Sequence, residues 1–149
     1  MSLFKKILVP VDGSEPSDAA VALAIRLAAD QHAKLIFLHV SEVAKISAMV
    51  STTAMCADPS AALDAELAFG KESLHRAEAA ARQGAVDAVA LLDEGNSSET
   101  ILEAAKQNAA DLIVIGSHGR GGIQRVLLGS VAEAVLRHSN VPVLFTRVP

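Results

Sequence analysis

The sequence predicts an α/β fold: an open five-stranded parallel sheet with helices on both faces. Two observations carry that reading. Short runs that are apolar at every position alternate with helix-spaced segments along the 149 residues. Runs apolar throughout, rather than at every second residue, belong to strands buried on both sides, as crossover helices require. No low-complexity tract or linker divides the chain, and its length suits a single domain over residues 1–149.

The elements follow in order. KKILVPVD (5–12) is a run of β-branched residues and leucine ended by Gly13, and reads as the first strand. From Ser17 to about Gln31 the chain is alanine-rich, with Ala20, Leu23, Leu27 and Ala28 on one side and Pro16 at the helix start, where proline is tolerated. KLIFLHV (34–40) is the second strand. Segment 41–60 has no clear period and reads as a long connection, of a length typical of lids. Helical spacing of Leu63, Leu67, Gly70, Leu74, Ala77 and Ala81 predicts a second helix with Gly84 as its C-cap. AVDAVALL (85–92) is the third strand. NSSE (96–99) fits a capping box, and the helix it opens uses Ile101, Leu102 and Ala105 and runs to about Asn108. DLIVIGS (111–117), Ser130 to His138 and VPVLFTR (141–147) supply the fourth strand, the last helix and a fifth, edge strand.

Bulk properties narrow the function. The net charge is -4, with 13 basic residues scattered among 17 acidic ones. No clustered basic footprint is present, so no nucleic-acid partner is expected. The longest apolar helical stretch, 19–29, carries Arg26 and falls short of the ~20 residues a membrane span needs. The apolar run after Lys6 is too short for a signal peptide and ends at Asp12. The single cysteine, Cys56, cannot form an internal disulfide, which fits a reducing compartment. The expected location is the cytoplasm.

In open parallel sheets ligands bind at the carboxyl ends of the strands. Here that edge carries Pro10, Val11, Asp12, Gly13 and Ser14, then His39 and Val40, then Gly116, Ser117, His118 and Gly119. The stretch GSHGRGGIQRVLLGS (116–130) therefore lies where a ligand is expected. Its first glycines allow close backbone approach and an anion-binding nest. Gly129 and Ser130 open a helix whose free N–H groups attract phosphate. The alternative is structural: glycines that only turn the chain and a serine that only caps its helix. RGGIQRVLL, between the two parts, reads as a tether anchored at Val126 to Leu128. Arg120 and Arg125 are either solvated or placed to meet phosphates or a partner. His39 reads as a core histidine, and His118 as a backbone contact rather than a base. G-x-x-x-x-G-K-[ST] is absent, and so is G-x-G-x-x-G after the first strand.

The spacing Gly116-x2-Gly119-x9-Gly129-Ser130, with ILVPVDGSE at the start and DLIVIGSHGRGG in the middle, resembles the universal stress protein family over essentially the whole chain. The resemblance implies a sheet of order 3-2-1-4-5 and membership of the ATP-binding branch. It implies that Pro10, Val11 and Val40 line an adenine slot with Ile115 beneath it. Asp12 would meet the ribose or the adenine edge. Gly116, His118 and Gly119 would approach ribose and phosphates through their backbones, and Gly129, Ser130, Val131 and Ala132 would hold the phosphates. ATP, or AMP or ADP, is the implied ligand, with any Mg2+ carried by the phosphates and ATP hydrolysis at most slow. A homodimer formed by the C-terminal strand, burying Val141, Val143 and Phe145 or their neighbours, is implied as well. Two alternatives stay open. Ala132 stands where the family often has a hydroxyl, which favours a dimeric interaction module indifferent to nucleotide. An enzyme of the ATP pyrophosphatase kind would carry S-G-G-x-D-S where this chain reads VDGSE.

Overall fold

The computed structural model describes residues 2–53, 58–118 and 128–148. The elements run β1 (Lys6–Pro10), α1 (Glu15–Gln31), β2 (Lys34–Ser41), α2 (Val43–Thr53), α3 (Pro59–Gln83), β3 (Ala88–Glu94), α4 (Ser97–Gln107), β4 (Leu112–Gly116), α5 (Ser130–His138) and β5 (Val143–Thr146). The five strands form one sheet of order β3-β2-β1-β4-β5. The pairings are parallel, with Val9 opposite Phe37 and Leu8 opposite Ile113.

The uniformly apolar strands are explained by two cores, one on each side of the sheet. Ile7, Val9, Leu35, Phe37, Leu112 and Val114 face α1 and α3. Leu8, Ile36, Leu38, Ile113 and Ile115 face α4 and α5. Alternate residues of each strand thus enter opposite cores, so polar residues are few there and fall toward the strand ends, as His39 and Ser41 do in β2. In α1 the buried stripe is Ser17, Ala20, Val21, Ala24 and Ala28. Leu23 and Leu27 flank it, because the small residues let the helix lie close to the sheet.

Two expectations are corrected. The stretch 41–60 is not an irregular connection: it holds α2 and the first turn of α3. Its Ser, Thr and β-branched residues have modest helix propensity, which hides the spacing of Val43, Ile46 and Val50. The third strand begins at Ala88 rather than at residue 85 because α3 ends in a Schellman motif. Val86 N–H bonds Ala81 O at 3.0 Å and Ala85 N–H bonds Arg82 O at 3.0 Å. Gly84 is the C-cap, yet its φ is -83°, and the left-handed position falls on Ala85, at φ 54°.

Candidate functional site

A cleft of about 710 Å³ opens at the carboxyl edge of the sheet, where β1 and β4 diverge to serve opposite faces. Its walls come from the end of β1 (Pro10, Val11, Asp12), the end of β2 (Leu38, His39, Val40) and the end of β4 (Ile115 to His118). Gly129, Ser130, Val131 and Ala132 complete it at the start of α5. Every residue singled out from the sequence for the nucleotide lines this cleft except Gly119, which lies outside the described residues. Arg120, Arg125, Cys56, Met55 and all of the tether except Leu128 lie outside them too.

The turn after β1 is built around Asp12. Its Oδ1 accepts from Ser14 N–H at 2.9 Å and from the Ser14 hydroxyl, while its own N–H donates to Ser17 Oγ at 3.1 Å. Gly13 follows at φ 77°, and a Cβ there would sit 2.5 Å from the Phe69 ring of α3. A side chain at that position is excluded both by backbone conformation and by space. Gly116 is different. Its φ is not left-handed, so the turn itself does not need glycine. A Cβ would instead come within 2.8 Å of the Pro16 carbonyl carbon and 2.9 Å of Ser17 N. The missing side chain admits the first turn of α1 beside β4.

Among the described residues α1, α2, α4 and α5 all start near this edge, and the caps of α1, α4 and α5 differ. Ser14 caps α1, accepting from Ser17 N–H at 3.3 Å. Asn96 caps α4, accepting from Glu99 N–H at 3.1 Å, and Glu42 Oε1 takes the Ser97 N–H at 3.1 Å. At α5 the cap is Gly129, which has no side chain to bond the first turn. Ser130 is the first helical residue rather than the cap. The opening N–H groups of α5 therefore have no acceptor from a cap side chain among the described residues, while Ser130, Val131 and Ala132 line the cleft. The α5 start is tied in place from behind: Gly129 N–H bonds Ser117 O at 2.7 Å, and Ser117 N–H bonds Thr146 O at 2.9 Å. Ser117 Oγ meets His118 Nδ1 at 3.1 Å.

Sequence reasoning missed the wall supplied by α2 and α3. Glu42, Lys45, Ile46, Met49 and Glu66 all line the cleft. The apolar spacing from Val43 to Val50 was the available signal. Burial pushes the Glu42 carboxyl up, but the Ser97 hydrogen bonds and then the Lys45 ammonium, at 3.2 Å, outweigh it and hold the group below the usual carboxylate range. His39 is 1% exposed and sits in the floor, with Nδ1 at 2.7 Å from Val11 O and Nε2 at 3.2 Å from Glu66 Oε1. Among the described residues no group of three or more His, Cys, Asp or Glu is placed to hold a metal ion, and no helix is long and apolar enough to cross a membrane.

The model of the universal stress protein family matches residues 3–147. A universal stress protein of Methanocaldococcus jannaschii is 35% identical, covering 99% of this chain and 85% of that protein. The structure of universal stress protein UspA from Lactobacillus plantarum superposes with a TM-score of 0.82 at 28% identity, over 99% of this chain and 100% of that one. A universal stress protein solved in complex with cAMP superposes with a TM-score of 0.69 at 28% identity, over 98% of both chains.

Proposed function

This chain belongs to the universal stress protein family, and on that premise we propose that it is a regulatory protein that binds ATP in the cleft at the carboxyl edge of its sheet. The observation that carries the proposal is the start of α5. Its N-cap, Gly129, has no side chain to occupy the first turn, which offers N–H donors and a partial positive charge where a phosphate would lie. The cAMP complex of a 28%-identical relative supports an adenine nucleotide in a cleft of this kind. A volume of about 710 Å³ falls within the usual range for small-molecule sites.

In this reading the adenine lies among Pro10, Val11, Val40 and Ile115, with Ile46 and Met49 of α2 closing the apolar slot. Asp12 meets the ribose or the adenine edge. Gly116, His118 and Gly119 approach ribose and phosphates, and the backbone from Gly129 to Ala132 holds the phosphates. AMP and ADP share the base and ribose contacts. Mg2+ arrives with the phosphates. The Ala132 side chain is buried in the domain, so the group it offers a phosphate is its N–H, which the absence of a hydroxyl leaves intact. That weighs against the nucleotide-independent module. ATP acts as an effector that selects one conformation or partner state, with hydrolysis at most slow. We place the protein in the cytoplasm, as a homodimer paired through the β5 edge. Val141, Val143 and Phe145 already pack on the α4/α5 core, and Leu144 is the β5 side chain left exposed, at 38%.

Native mass spectrometry after gentle purification, with ATP added back, tests the assignment. An adduct of ATP mass on the folded chain is expected. A chain that carries no adenine nucleotide even at millimolar ATP rejects it.

A further inference from the structure

Thr146 ends β5, a strand that is otherwise apolar, and it carries a hydroxyl at a position only 8% exposed. Burying a hydroxyl costs free energy unless it is hydrogen-bonded, and valine would offer the same shape with equal liking for a strand. The hydroxyl donates to Pro16 O, in the first turn of α1, at 2.9 Å. The Thr146 carbonyl accepts from Ser117 N–H at 2.9 Å, and the Ser117 carbonyl accepts from Gly129 N–H at 2.7 Å. On the other side of Pro16, Ser17 Oγ accepts from Asp12 N–H at 3.1 Å.

These bonds form one line from Asp12 to Gly129 through the inside of the domain. Ser17, Thr146 and Ser117 are all buried along it. Its two ends are opposite walls of the cleft. Asp12 belongs to the wall that meets the base and ribose, and Gly129 to the wall that holds the phosphates. The helices that follow them lie on opposite faces of the sheet, α1 with Val9 and Val114, α5 with Leu8 and Ile115. The sheet stands between them, and β5 touches both. Thr146 is opposite Gly116 in the β4–β5 register, and the missing Gly116 side chain lets the Pro16 turn lie against the end of β4.

On the reading of the cleft given above, we propose that Thr146 is a positioning residue for the nucleotide: it fixes the spacing between the Asp12 turn and the start of α5, and so favours a ligand that holds both. A nucleoside touches the apolar slot and the Asp12 turn, which move together as one wall. A nucleotide must also reach α5 with its phosphates, so it gains most when the two walls already stand at the right separation. Without the hydroxyl, the α1 start shifts relative to Gly129 and each binding event must restore the spacing. ATP is weakened and adenosine is spared.

The test compares wild type, Thr146→Val and Thr146→Ser by calorimetric titration with ATP, NMR titration with adenosine, and amide hydrogen exchange in the free proteins. Valine keeps the shape and removes the hydroxyl, whereas serine keeps the hydroxyl. Thr146→Val is expected to lose about three- to tenfold in ATP affinity, the worth of one hydrogen bond, with adenosine affinity unchanged. Its Asp12 and Gly129 amides exchange faster relative to those of the β1 core, Ile7 to Val9, and Thr146→Ser restores both properties. Wild-type ATP affinity in Thr146→Val, an equal loss for ATP and adenosine, or no recovery in Thr146→Ser overturns the inference and leaves the ATP site standing. A wild type that binds no ATP, with the amide changes as expected, overturns the reading of the cleft instead, and the role of Thr146 toward a nucleotide falls with it.

Discussion

Replacing Gly116 by alanine separates a packing role from a ligand role at one position. The new Cβ would meet the Pro16 carbonyl carbon at 2.8 Å, Pro16 Cβ at 2.9 Å and Ser17 N at 2.9 Å. Two of these three are backbone atoms, and the first turn of α1 is pinned from both sides. Thr146 donates to Pro16 O at 2.9 Å, and Ser14 accepts from Ser17 N–H. The helix start cannot move away without breaking one of those bonds. Overpacking of this kind costs about 1–3 kcal/mol. Alanine also narrows the unfolded ensemble, which returns about 0.4–1 kcal/mol because φ here suits any residue. The net expectation is a loss near 1.5 kcal/mol, and a Tm lower by roughly 3–6 °C for a chain of this size. Thermal and urea denaturation, with an unchanged m-value, measure it. A Gly116→Ala protein as stable as the wild type would refute the claim that α1 packs into the space a side chain would fill.

Other outcomes follow from the same coordinates. Ala109 follows the Asn108 C-cap of α4 at φ 53°, so Ala109→Gly is expected to raise stability by about 0.5–1 kcal/mol in chemical denaturation; a loss would show that its methyl group packs usefully. Glu42 has a depressed folded-state pKa, so its stabilising effect is present above the unfolded value, about 4.3, and disappears as pH falls through the lower folded value. Glu42→Gln should therefore cost about 0.5–1 kcal/mol near neutrality and nothing in strong acid, and a deficit that persists in acid would contradict the helix-start contact with Ser97. Leu144→Lys on the exposed side of β5 is expected to convert a dimer to a monomer in light scattering, while a wild type that is already monomeric at micromolar concentration removes the proposed edge pairing.

Much of the fold was legible because burial on both faces leaves a direct mark. Runs such as LIVIG, Leu112 to Gly116, hold no polar residue, and that separates parallel strands from half-exposed ones. The position of the cleft followed from topology, and the residues around Pro10, Val40, Ile115 and Ser130 converge on it. What stayed hidden involves contacts between segments far apart in the chain. Nothing near Gly70 says that its missing side chain makes room for His39, and nothing near Gly116 says that α1 passes beside it. The left-handed Ala85 concealed the end of α3, because alanine gives no sign of that conformation. Helix α2 was missed for another reason: its Ser and Thr content weakens a pattern that is only three turns long.

The most direct measurement is calorimetric titration of ATP into the wild-type chain and into Gly129→Lys, which places a side chain at the uncapped start of α5. Saturable binding by the wild type, with affinity lost in a Gly129→Lys protein that keeps its fold by circular dichroism, is the predicted result. Equal affinity in the two proteins, or no heat of binding in the wild type at millimolar ATP, would contradict the assignment of the phosphates to that helix start.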